Sequence, residues 1–340
     1  MDVTAVRHEA EKILSELPDR ISDVIKPFAR HSPDHPALVQ GDVTWTYAEL
    51  AAVVADTVVI LKLYDIRPGD RVMIVSENSL ALVALIFAVS EIDAWSVVVN
   101  PRLSAREIDL IREHSDARRV FYTIEVSDAA RQHAERHAAD IAVLRGLGTL
   151  GVGPLNRETV PEPVEVDRSR QVAALIYTSG TTGSPKGVML THRNVLFSAR
   201  VMGAQRSPAD KAYCVLPISH IVGFSVILVA SLMAGATVQL VPRFDPAALV
   251  SAIVNDGITL MFGVPAMYHD CWSTRRSAVS TGCPAASSAG WRLRARRSTW
   301  RSNPGSRRSS AYRWVTAMAL PNAPPLSRLS GRRRRKMTPP

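Results

Sequence analysis

The chain has 340 residues, 46% of them hydrophobic, enough apolar side chain for one large core or two ordinary ones. Its net charge of +10 is no property of the whole: all 31 acidic residues fall in 1–270, whereas 271–340 hold 15 arginines, one lysine and no acid, so a mildly acidic body precedes a basic tail. Three cysteines, Cys214, Cys271 and Cys283, with no C-x-x-C spacing, exclude a disulfide framework and a metal knuckle, and the charged start MDVTAVRHEAEKILSELPDR has no apolar secretory run, so a reducing cytoplasm is the expected location.

In chain order, residues 4–17 place Val6, Ala10, Ile13 and Leu17 on one face of a short amphipathic helix. Residues 36–40 and 43–47 flank Gly41-Asp42 as a hairpin, and Thr46 with Glu49 forms a capping box that opens a helix to about Leu63. Strands are expected at 71–75, 96–100 and 119–123, with helices at 79–89, 104–112 and 127–138 between and after them, then a weak strand at 141–144. Such alternation predicts an α/β fold: parallel sheets with flanking helices. Glycine-rich 147–170 reads as a surface loop.

Residues 172–177, VAALIY, have the character of a strand buried on both faces. From Thr178 to Gly187 there follow three glycines, five hydroxyl residues, one proline and one lysine. Glycine lets backbone N–H groups close on an anion, the hydroxyls of Thr178, Ser179, Thr181, Thr182 and Ser184 add donors, and Lys186 adds positive charge, so Gly180 and Gly183 belong to a phosphate cradle. The plain alternative is an ordinary Gly/Ser/Thr turn. Beyond it come a helix at 192–202, strands at 212–216, 237–241 and 259–262, and a helix at 246–254. Nothing from Ala212 to Pro242 is charged, and 221–241 is long enough to span a bilayer; the Ala234-Gly235-Ala236 break instead divides it into a buried helix and a buried strand.

The run LIYTSGTTGSPKGVMLTHRN, together with WTYAEL, LPISHIVGF and GVPAMY in that order, resembles the adenylate-forming superfamily of acyl-CoA synthetases, luciferases and peptide-synthetase adenylation domains over roughly residues 20–270. The resemblance implies an incomplete N-terminal adenylate-forming domain over 1–272. It also implies a reaction in which a carboxylate attacks the α-phosphate of ATP to give acyl-adenylate and pyrophosphate, and coenzyme A then takes the acyl group. ATP and Mg2+ are the implied cofactors, with Thr178 touching the metal, and His220 and Gly223 lining the channel where the carboxylate meets nucleotide; capping of the following helix is the structural alternative for His220. A fatty acid is the expected substrate, because 221–227 is apolar and uncharged.

Residues 273–340 do not resemble the family. They lack the aromatic-Gly-x-Thr-Glu string, the ribose-binding aspartate and the C-terminal catalytic lysine that relatives carry, so no catalytic residue is assigned and activity is expected to be weak or absent. Their acid-free, arginine-rich composition predicts disorder, and it matches GC-rich coding sequence read out of frame. The alternatives are a non-catalytic nucleotide-binding module, or a nucleic-acid-binding protein that uses the tail as a basic arm.

Overall fold

A computed structural model describes residues 3–178, 185–271 and the short strand 316–319. Helix α1 (Val3–Ser15) leads to a 3-10 turn (Ile21–Ile25) and α2 (Lys26–His31). The predicted hairpin is β1 (Pro36–Gln40) and β2 (Val43–Thr46), turning at Gly41 with φ of 55°. The Thr46–Glu49 capping box opens α3 (Tyr47–Leu63) as expected.

Next come β3 (Arg71–Val75), α4 (Leu80–Glu91), β4 (Trp95–Val99), α5 (Ala105–Ser115), β5 (Arg119–Tyr122), α6 (Asp128–Arg136) and β6 (Asp140–Leu144). All eleven residues of α4 from Leu80 to Ser90 are buried, because this helix touches β1 of one sheet and β3 and β4 of the other. A helix that is apolar all round is what such a position between layers demands.

Two mixed sheets result. The seven-stranded sheet runs β6-β7-β5-β3-β4-β8-β9, with β7 at Gly148–Val152, β8 at Val172–Thr178 and β9 at Lys186–Thr191, and the six-stranded sheet runs β13-β12-β10-β11-β1-β2, with β10 at Lys211–Cys214, β11 at Thr237–Leu240, β12 at Leu260–Gly263 and β13 at Thr316–Ala319. Their interiors are parallel, as the β-α alternation predicts, with β3 beside β4 and β5, β4 beside β8, and β10 beside β11 and β12. Their outer pairs are antiparallel: β1 with β2 is the predicted hairpin, and β5 with β7, β6 with β7, β8 with β9 and β12 with β13 add antiparallel pairs to the parallel interior.

One expectation needs correction. The surface loop at 147–170 contains β7 (Gly148–Val152), which pairs with β5 and β6, and the segment after it is pinned down: Arg71 donates to Val160 O at 2.7 Å, and Arg67 to Thr159 O at 2.8 Å. Of the tail, the described residues are β13 (Thr316–Ala319), antiparallel to β12 (Leu260–Gly263); the rest of 273–340 lies outside the described residues.

The uncharged stretch divides as the glycine break indicates. A π-helical segment, Val222–Val229, continues as α8 (Ala230–Met233), turns at Gly235 with φ of 75°, and becomes β11 (Thr237–Leu240). Among the described residues no helix is long and apolar enough to cross a membrane.

Candidate active site

Strand β8 (Val172–Thr178) and strand β9 (Lys186–Thr191) form an antiparallel pair in which Thr178 faces Lys186 and Tyr177 faces Gly187. Burial changes along β8 at the point where the composition changes: Val172–Ile176 are buried, Tyr177 is half-buried and Thr178 is exposed. Thr178 and Lys186 therefore stand opposite each other at the mouth of the hydroxyl loop. Lys186 is exposed, and its ammonium has no hydrogen-bond or ion-pair partner among the described residues. Ser179, Gly180, Thr181, Thr182 and Gly183 lie outside the described residues.

The base of this hairpin is held from the side. Tyr177 Oη and His114 Nδ1 are 2.8 Å apart, their rings meet edge to face at 5.6 Å, and burial pushes the Tyr177 phenol up to about 12. Gly187 makes room for that ring, since a Cβ there would lie 3.1 Å from Tyr177 Cζ. Beyond β9, a Thr191–Asn194 capping box starts α7 (His192–Met202). His192 is fully buried, its Nδ1 accepts the Ile21 N–H at 3.2 Å, and desolvation lowers its pKa to about 4, so the ring is neutral.

The second predicted group follows β10 (Lys211–Cys214) in the other sheet. The His220 ring is exposed, and its Nδ1 accepts the Val222 N–H at 3.3 Å while its carbonyl accepts the Phe224 N–H at 2.9 Å. The capping geometry is therefore present, and the exposed ring leaves a substrate-facing role open to the same side chain. Gly223 is buried against the preceding turn, where a Cβ would lie 2.2 Å from Pro217 O and 2.8 Å from Leu216 O. Its geometric role is close backbone packing.

What joins these groups is a polar bracket that the sequence reading missed. Asn78, just beyond β3, donates through Nδ2 to Cys214 O and Leu216 O at 3.0 Å and to Val241 O at 3.2 Å, and its Oδ1 accepts the Ile218 N–H at 2.9 Å. One side chain thus ties the carboxyl end of β3 to the carboxyl ends of β10 and β11. Beside it, the nearly buried Glu77 carboxylate accepts from Arg102 Nε at 3.1 Å and from Arg243 Nε at 3.4 Å, and Arg102 also donates to Pro242 O at 2.7 Å. The only available signal was S-E-N-S standing directly after a strand.

Because β3, β4 and β8 are parallel, Thr178 emerges on the same side as Asn78, and the loop carrying His220 is bonded to Asn78. Both predicted groups accordingly lie at the carboxyl ends of parallel strands, where open α/β sheets bind ligands. Among the described residues no group of three or more His, Cys, Asp or Glu could hold a metal ion.

Two mixed α/β sheets bracketed at their carboxyl ends, with a lysine-bearing hydroxyl loop opening there, are the architecture of the N-terminal domain of adenylate-forming enzymes. The chain belongs to the AMP-binding enzyme family, matched over residues 25–328. It is 34% identical over 273 residues to a feruloyl-CoA synthase of an Amycolatopsis species, covering 75% of this chain and 53% of that one. It is also 29% identical over 234 residues to the long-chain-fatty-acid–CoA ligase FadD13 of Mycobacterium tuberculosis, covering 67% and 46%. The crystal structure of the N-terminal domain of FACL13 from Mycobacterium tuberculosis superposes with a TM-score of 0.60 at 26% identity, over 74% of this chain and 64% of that one.

The chain spans about half the length of the curated relatives it matches. The family match runs to residue 328, past the point near 270 where the recognisable landmarks end.

Proposed function

We propose that the hairpin from Thr178 to Lys186 holds the β- and γ-phosphates of ATP, and that the chain carries the adenylation half-site of an acyl-CoA ligase acting on a fatty acid. The observation that carries this reading is the exposed Lys186, its ammonium without a partner among the described residues, standing across the β-ladder from Thr178 at the carboxyl edge of the sheet. As pyrophosphate leaves, negative charge gathers on the β- and γ-oxygens, and a fixed lysine with hydroxyl and backbone donors stabilises it in advance. Thr178, at the mouth of the loop, is the residue that would touch Mg2+, which when bound supplies charge neutralisation at the phosphates. Coenzyme A is the proposed acyl acceptor, and the Asn78 bracket sets the position of the loop on which His220 would line the acid's channel.

The apolar, fully buried run Phe224–Val229 beyond His220 supports an acid without a charged substituent, and the FadD13 likeness supports a long alkyl chain. The higher identity to the feruloyl-CoA synthase favours, as a second reading, an aromatic propenoic acid. Turnover is proposed to be weak or absent, because residues 271–340 contain no carboxylate that could grip ribose or metal. Pyrophosphate release and thioester formation with dodecanoate, palmitate and ferulate, on wild type and Lys186→Ala, test the assignment. Rapid turnover that survives Lys186→Ala would refute the role given to the hairpin.

A further inference from the structure

The end of the seven-stranded sheet opposite the phosphate hairpin carries an open cavity of about 660 Å3. It lies between α3 and the two turns that precede β3 and β4, hence at the amino ends of those strands. Helix α3 turns Leu50, Val54 and Leu61 into the core, and its adjoining face of Ala51, Ala55 and Val58 is too small to fill the space beside Ile66 and Ile92. The floor is therefore apolar: Val54, Ile66 and Ile92 are each less than 10% exposed. The volume falls within the ~300–1,000 Å3 usual for small-molecule sites.

The charges around this groove are almost all neutralised within the fold. Glu91 is held by Lys26 at 2.8 Å, and Lys26 also reaches Asp23 at 2.6 Å. Asp93 is clamped by Arg20 and Arg168, each at 2.9 Å, and Arg67 is bound to Asp70 at 2.9 Å. Of the cations lining the groove, Lys62 alone has a side-chain charge with no hydrogen-bond or ion-pair partner among the described residues. An apolar trough whose acids are already paired and whose one uncommitted charge is an ammonium is complementary to an amphipathic anion.

We propose that this groove is a second ligand site, taking a medium-chain fatty acid with its alkyl chain over Val54, Val58, Ile66 and Ile92 and its carboxylate on Lys62. It stands at the opposite end of the parallel strands from Thr178 and Lys186, so its occupant is an effector or stored acid and not the reacting one. The site requires no nucleotide, and its existence does not depend on the function proposed for the hairpin.

Calorimetric titration of the full chain with dodecanoate, without ATP, tests it. Wild type is expected to bind saturably, Lys62→Glu at least about fivefold more weakly, as loss of an exposed charge pair worth about 1 kcal/mol implies, and Ala55→Trp at least about tenfold more weakly by filling the groove. Lys186→Ala is expected to bind like wild type, which separates this site from the phosphate hairpin. Both Lys62 and Ala55 are exposed, and thermal melts of the two variants verify folding. The proposal is overturned by any of four results: no saturable binding, binding indifferent to both groove variants, dodecyltrimethylammonium binding as well as dodecanoate, or a dimer in sedimentation that Ala55→Trp disrupts.

Discussion

Acid should weaken this fold through His192 before its carboxylates begin to titrate. The ring is fully buried, accepts the Ile21 N–H through Nδ1, and leaves Nε2 without a partner among the described residues, so a second proton would place a poorly paired charge in the core. Burial lowers its pKa from 6.5 to about 4. The unfolded chain therefore binds that proton more readily than the fold does, and the stabilisation is whole above pH 6.5 and drains away as pH falls toward 4. At about 1.4 kcal/mol per unit, the full loss is about 3 kcal/mol, of which about 2 kcal/mol is gone by pH 5. His137, lowered chiefly by burial, acts in the same direction, so the reading is a difference between two proteins. His192→Asn keeps an acceptor for Ile21 and removes the titration. Urea unfolding at pH 7, 6 and 5 should show wild type losing about 2 kcal/mol more than this variant over that interval. Parallel pH slopes for the two proteins would refute the buried, neutral His192.

Asn78→Ala strips one partner from Ile218 N and from three carbonyls at once, and should cost about 1–3 kcal/mol or more in urea unfolding. Asn78→Asp should be at least as damaging, because it turns a carboxylate toward those carbonyls; wild-type stability in either variant would contradict the bracket. Gly223→Ala forces a Cβ to within 2.2 Å of Pro217 O and should destabilise by about 1–3 kcal/mol, seen as a lowered Tm.

Where local chemistry decides an element, the sequence is explicit. The Thr46–Glu49 box forms as read and α3 starts beside it, and the helix expected at 104–112 is α5, opened by a Ser104–Glu107 box. Strand β7 escaped notice because Gly148 and Gly151 dilute its apolar pattern, and Gly151 is there because a Cβ would come within 2.9 Å of Ala134 Cβ on α6. Strand β9 was hidden inside the loop motif, since KGVMLT reads as the motif's continuation and its strand character comes from pairing with β8. The π-helical form of Val222–Val229 leaves no trace in an uncharged, largely apolar segment, where no spacing stands out.

At the proposed site, Lys186 and the hydroxyls stand out in the sequence because a phosphate loop would need them close together in the chain. Asn78 was illegible for the opposite reason: its partners lie 136 to 163 residues away, and only the approach of the two sheets gives the side chain its purpose.

The proposed grip of Lys186 and the hydroxyl loop on the phosphates of ATP is measured by calorimetric titration of wild type and Lys186→Ala with ATP and Mg2+. Weak, saturable binding by wild type and a loss of at least about tenfold, or about 1.4 kcal/mol, in the variant are expected. Equal ATP affinity in the two proteins would contradict it.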